Sequence, residues 1–104
     1  MKTLIIDSSD SKQIIVGLKI GSKKYILKHK TDAKKAQAIL PLIDKIFKKY
    51  SIEAKDLDSI TVNIGPGSFT GLRVGISIAN TLGFILKIPV NDKNAGELVE
   101  PYYK

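Results

Sequence analysis

The chain has 104 residues, 43% of them hydrophobic, which suits one compact domain and no more. It contains no cysteine, which excludes a disulfide framework and a thiolate metal site and suits a reducing, cytoplasmic setting. The net charge of +7 is unevenly placed: residues 1–50 hold 12 lysines against 4 acids, and 7 of those lysines fall between Lys19 and Lys35. A cluster of this kind attracts polyanions, RNA first among them. The competing expectation is a solvated lysine-rich surface, because lysine outnumbers arginine 16 to 1 and few aromatics interleave for stacking. Met1 and Lys2 run straight into an apolar strand and an acidic turn, so no secretory leader is expected. The most apolar stretch, between Arg73 and Lys87, falls short of the roughly 20 residues of a membrane span.

Thr3–Asp7 reads as a first buried strand ending in the polar turn Ser8–Lys12. Gln13–Ile20 is a second strand, and a Gly21-Ser22 turn leads to a third, Lys24–His29. These three predict an antiparallel meander. Thr31 or Asp32 then caps a helix to about Tyr50, with positions 36, 39, 40, 43, 47 and 50 on one apolar face. Leu42 and Ile46 widen that face, and Pro41 inside the helix removes one ladder bond. Ser51–Asp58 is a polar connection with one helical turn. Ile60–Ile64 is a fourth strand, Thr70–Leu86 a second long helix, and Ile88–Val90 a short fifth strand. Residues 91–104 form a polar tail without the apolar content to pack well. The order predicts an α/β layer with a mixed five-stranded sheet and two long helices over residues 1–90. It matches the start of one lobe of the actin-like ATPase fold.

The richest segment is GPGSFTGLRVG, Gly65 to Gly75. It lies between a strand and a helix, where backbone N–H groups lack helical partners. Gly67, Ser68, Thr70 and Arg73 at the helix start form a candidate anion grip. A phosphate loop of the Walker type is excluded by the glycine spacing and the missing lysine, and a nucleophile elbow by Pro66 and Thr70 flanking Ser68. A loose dinucleotide-binding pattern, Gly65, Gly67 and Gly71 with Asp92 beyond, remains the basis of an alternative: a small nucleotide- or dinucleotide-binding enzyme. His29, the only histidine, ends a lysine-rich strand and is expected to be solvated. No carboxylate pair stands out apart from the Asp56/Asp58 turn. Asp7, followed by Ser8 and Ser9, ends the first strand where actin-like ATPases place an acidic residue toward metal-bound phosphate. No glycine relaxes that turn, so a side chain serving the turn's own backbone is the rival expectation.

Within the second helix, Gly71, Gly75, Ala79 and Gly83 recur every four residues as a stripe almost without side chain. Each glycine lowers helix stability by about 1 kcal/mol relative to alanine, which a close backbone contact can offset. One reading packs the stripe on the domain's own sheet. The other makes Gly71, Leu72, Gly75, Ile78, Ala79 and Leu82, with Leu42 and Ile46, an association surface for another subunit.

GPGSFTGLRVGISIANTLGF resembles the signature segment of the TsaB (YeaZ) family, actin-like-fold (RNase H-like) proteins needed to make threonylcarbamoyladenosine beside the anticodon of certain tRNAs. The resemblance extends to IIDSS, ILPLIDKIF and KDLDSITVNIGPGSFTG, and so covers roughly residues 3–90. It implies a non-catalytic partner of the related TsaD subunit, which carries the metal and the transfer chemistry, with TsaE as an accessory ATPase. It also implies no cofactor on the isolated chain, with a nucleotide or anion at most at the partner face. Asp7, Ser8 and Ser9 become a vestigial phosphate turn, and a homodimer becomes the expectation when TsaD is absent. The old glycoprotease label of the superfamily finds no support in these residues. Where relatives commonly carry a histidine shortly before the ILP segment this chain has Lys35, so no role of that histidine carries over. Relatives are also about twice as long, with a second lobe after the fifth strand. Here Pro89-Val90 leads at once to a polar stretch and ELVEPYYK, which resembles the family's proline–tyrosine–basic ending in a one-lobed version.

Overall fold

Alternation of apolar and polar residues builds a mixed sheet with one covered face. The computed structural model of the chain describes residues 1–31, 35–93 and 97–101. Its elements are β1 (Lys2–Asp7), β2 (Gln13–Ile20), β3 (Lys23–Lys30), α1 (Lys35–Lys49), a 3-10 turn (Ala54–Asp56), β4 (Ser59–Val62) and α2 (Phe69–Leu86). The sheet order is β3-β2-β1-β4. The β1–β2 and β2–β3 pairs are antiparallel, with Leu4 opposite Leu18 and Val16 opposite Leu27, while β4 runs parallel to β1 with Leu4 opposite Ile60. The expected meander is therefore present. Gly21, at φ 61°, makes the two-residue turn between β2 and β3.

Leu4, Ile6, Ile14, Val16, Leu18, Ile60 and Val62 share one face and are buried beneath the helices. α1 lies over β2 and β3, and α2 over β4 and β1. α1 runs through Pro41 without ending. The cap expected at Asp32 falls outside the described residues, as do the side chains of Lys35 and Ala36. The apolar face of α1 is rotated from the expected one. Ile39, Leu42, Ile43 and Ile46 are its buried residues, whereas Leu40 is 54% exposed. Tyr50, just past the helix end, stacks on Tyr25 of β3 with ring centroids 4.1 Å apart, which draws α1 toward the sheet edge.

The fifth strand is reduced to a single parallel bridge between Val90 and Ile60, so the sheet has four strands rather than five. The Ile60 N–H donates to Pro89 O, and the Asn91 N–H donates to Ile60 O, both at 2.9 Å. Asn91 and Asp92 then adopt left-handed backbone at φ 50° and 63°, which turns the chain off the sheet. The Asn91 side chain takes over where the strand stops. Its Oδ1 accepts from Val62 N at 2.8 Å, and its Nδ2 donates to Val62 O at 2.9 Å. A side-chain amide thus satisfies the edge groups that a longer strand would have paired.

Candidate functional site

The turn after β1 and the turn before α2 meet, and hydrogen bonds knit them together. Asp7 Oδ1 accepts from both the Ser9 N–H at 3.0 Å and the Ser9 hydroxyl at 2.6 Å. Asn63 Nδ2 donates to Ser9 Oγ at 3.2 Å, and Asn63 Oδ1 accepts from the Gly65 N–H at 2.9 Å. Ser68 N–H donates to Ser9 O at 2.8 Å. Gly65 sits at φ 117° before a cis bond to Pro66. Gly67 is glycine because the hairpin passes so close: a Cβ there would lie 2.7 Å from both Cβ and O of Ser9.

Ser8 is the one fully buried polar residue of the described core. Its hydroxyl donates to Gly71 O at 2.5 Å and accepts from Gly75 N–H at 3.2 Å, which ties β1 to one turn of α2. The hydroxyl's one proton and one of its two lone pairs are thus used inside the chain. Asp7 and Ser9 thus hydrogen-bond within their own turn, and Ser8 bonds to the adjoining helix. Around the helix start, Gly67, Thr70 and Arg73 are exposed and Ser68 is half-buried. Ser68 Oγ caps the helix by accepting from Gly71 N–H at 3.4 Å, and Arg73 has a partner of its own. These four residues share one end of α2. His29 is exposed on the edge strand, far in the sheet order from β4 and its glycine turn.

The expected association surface needs correction. Gly71, Leu72, Gly75 and Ala79 are buried in the chain itself, and a Cβ at Gly75 would strike the Ser8 hydroxyl and lie 3.3 Å from Ile6 Cγ2. A Cβ at Gly83 would lie 2.5 Å from Val90 Cγ2. The small stripe lets α2 settle on its own sheet, so another subunit has no access to it. Leu42 and Ile46, at 8% and 0% exposure, also belong to the core. Ile78 and Leu82 are half-buried. Among the described residues, the large apolar side chains that remain open on the helices are Leu40, Phe84 and Ile85, the last two 71% and 65% exposed.

The polar tail also packs better than its composition suggests. Val99 is buried at 4% exposure, and Asn80 of α2 holds its backbone at both groups. Asn80 Nδ2 donates to Val99 O at 2.8 Å, and Val99 N–H donates to Asn80 Oδ1 at 2.9 Å. A shallow cavity of about 560 Å³ lies beside this clasp, lined by Arg73, Ser77 and Thr81 on α2 and by Leu98 and Pro101. An asparagine set between the buried Ala79 and the half-buried Leu82 of α2 was the available signal. Among the described residues, no group of three or more His, Asp or Glu side chains is placed to hold a metal ion. No described helix is long and apolar enough to cross a membrane.

Sheet, helices and turn together define a class: a single lobe of the actin-like fold whose glycine turn packs against its own first hairpin. The profile of the family described as TsaD, tRNA N6-adenosine threonylcarbamoyltransferase, matches residues 26–94, and the chain belongs to that family, within its TsaB (YeaZ) branch. The tRNA threonylcarbamoyladenosine biosynthesis protein TsaB of Buchnera aphidicola subsp. Schizaphis graminum is 41% identical over 70 residues, 65% of this chain and 33% of that protein. TsaB of Buchnera aphidicola subsp. Acyrthosiphon pisum is 36% identical over 88 residues, 83% of this chain and 40% of that one. The structure of YeaZ from Pseudomonas aeruginosa superposes with a TM-score of 0.81 at 27% identity, covering 86% of this chain and 41% of that chain. The chain thus spans 33% to 41% of the length of these relatives.

Proposed function

We propose that the chain acts as a TsaB-like, non-catalytic subunit that pairs with a TsaD-type transferase and supports threonylcarbamoyladenosine modification of tRNA. The observation that carries this reading is the turn packed on the first hairpin. The carboxylate that an actin-like ATPase would offer to metal-bound phosphate is engaged by Ser9, and Gly67 is packed on the same hairpin. A carboxylate engaged this way suits a scaffold better than a catalyst. Relatives named TsaB, and one named tRNA N6-adenosine threonylcarbamoyltransferase that is 48% identical over 52 residues, support the choice of process and partner.

The contact with the transferase is assigned to the helix layer, at Leu40, Phe84 and Ile85 with the half-buried Ile78 and Leu82. Two helices from each side would form a four-helix bundle, and a second copy of the chain would take the same place when the transferase is absent. TsaE joins through the complex, and so does tRNA. The chain alone takes no cofactor, and any nucleotide or anion is held against the partner, near Gly67, Ser68, Thr70 and Arg73. The setting is the cytoplasm. The test is co-purification with the TsaD protein of the same genome, followed by a threonylcarbamoyl-transfer assay with and without this chain. Stable co-purification and transfer that depends on the chain are expected. Transfer at full rate without it, or no association, refutes the reading.

A further inference from the structure

The sheet face turned away from both helices carries a charge pattern that packing does not explain. Alternation along β3 sends Tyr25 and Leu27 toward the core, and Lys24, Lys28 and Lys30 to the outer face. On the same face, Lys19 of β2 stands directly opposite Lys24. Residues 13–30 contain five lysines and no carboxylate. The two ion pairs described, Lys48 with Asp44 and Lys55 with Glu53, lie elsewhere.

Protection of an exposed edge accounts for lysines on β3, since they discourage strand pairing with another chain. It does not account for Lys19, which sits on an interior strand. Like charges directly opposite on neighbouring strands are destabilising, so the Lys19–Lys24 pair is a liability for the fold alone.

We propose that this face is a docking track for the phosphate backbone of RNA, formed by Lys19, Lys24, Lys28 and Lys30. The choice of tRNA as the natural ligand rests on the function proposed above. Lys24 to Lys30 spans about 20 Å at 3.4 Å per residue, which is long enough to follow several nucleotides of one strand. Lysine meets phosphate as a point charge, and no aromatic side chain stands on this face among the described residues, so binding is independent of sequence. An acidic protein surface fits less well. Lysine is depleted in protein interfaces, and the most exposed apolar side chain of the face is Ile26, at 40%.

The experiment compares the full chain with two variants that lose equal charge: K24Q/K28Q/K30Q on the track and K45Q/K48Q/K49Q on α1. Fluorescence anisotropy follows binding of a labelled, unmodified tRNA transcript and of poly(U) between about 50 and 200 mM salt. Three lost phosphate contacts should flatten the slope of log K against log salt by about 2–3 in the track variant. The α1 variant should match the parent, and poly(U) should behave as tRNA does. Thermal melts confirm that both variants fold. Equal changes in both variants, no change in either, or no binding by the parent at the lowest salt overturns the track. So does displacement of tRNA by polyglutamate at matched charge, which assigns the face to an acidic protein. Co-purification of the TsaD-type protein is scored on the same samples. An unchanged slope with intact co-purification refutes the track alone, while the expected slope change without co-purification by the parent refutes the subunit reading alone.

Discussion

Replacing Gly75 with alanine adds one methyl group at the tightest point between α2 and β1. On an open helix this change stabilises by up to about 1 kcal/mol, because glycine is the poorer helix former. Here the new Cβ falls on the Ser8 hydroxyl and within 3.3 Å of Ile6 Cγ2. The hydroxyl must leave, which forfeits its bonds to Gly71 O and Gly75 N–H at about 1 kcal/mol each. The packing behind it must also give, at about 1–3 kcal/mol. The three contributions leave a net loss of about 2–4 kcal/mol, and a melting temperature lower by at least about 8 °C for a domain of this size. Circular dichroism melts and urea titrations read both quantities. A second variant isolates the cause. In a Ser8→Ala background the new methyl group no longer meets a hydroxyl, leaving the Cβ of residue 8 at 3.2 Å and Ile6 Cγ2 at 3.3 Å, so the two substitutions should couple by about 1 kcal/mol or more. A Gly75→Ala protein as stable as the parent, or costs that add within about 0.5 kcal/mol, would refute the claim that the small stripe rests on β1.

Removing the Asn91 amide while keeping a residue tolerant of left-handed backbone, as in Asn91→Gly, should cost about 1–2 kcal/mol in urea titrations for the two bonds to Val62; unchanged stability would show that water satisfies the sheet edge equally well. Asn80→Ala should leave the melting temperature nearly unchanged and speed hydrogen exchange at the Val99 amide at least about 10-fold, since one bond of about 1.4 kcal/mol corresponds to that factor. Persistent protection of that amide would locate the tail's anchor elsewhere. Phe84→Asp with Ile85→Asp should shift stability by less than about 0.5 kcal/mol, because both side chains are exposed, while abolishing co-purification of a TsaD-type partner and self-association. Intact association in size-exclusion chromatography would move the interface off the helix layer.

The sequence is most legible where one physical rule acts alone. Period-two alternation in Gln13–Ile20 and the apolar runs at Thr3–Asp7 and Ile60–Ile64 place the sheet, the last strand ending at Val62 rather than Ile64, because burial of one face is all they have to satisfy. The fifth strand fails because Val90 is followed by two left-handed residues and by an asparagine whose side chain imitates a peptide group. Neither property shows in hydropathy. Val99 looks stranded in a polar tail, and its burial depends on Asn80, which lies 19 positions earlier. The stripe of Gly71, Gly75 and Ala79 is ambiguous by nature. Small residues announce that something comes close without saying from which side, and only the position of Ser8 answers that. Leu40 and Leu42 lie about 200° apart on one helix, so only one can face the sheet, and which one does is decided by tertiary packing rather than by hydropathy.

The order β3-β2-β1-β4 puts β1, which is made before the other three strands, in the interior of the sheet. During translation β1 can pair with β2 almost at once, since a short turn joins them. Its other edge stays open until Ser59–Val62 emerges, and at about 5–20 residues per second that delay is on the order of 3–10 s. Throughout this time Leu4 and Ile6 lack the cover of α2, which follows β4 in the chain. The nascent chain therefore carries an unguarded apolar ribbon until α2 emerges. Ribosome-bound chaperones would meet it there, and codons that slow elongation before residue 59 would prolong the exposure.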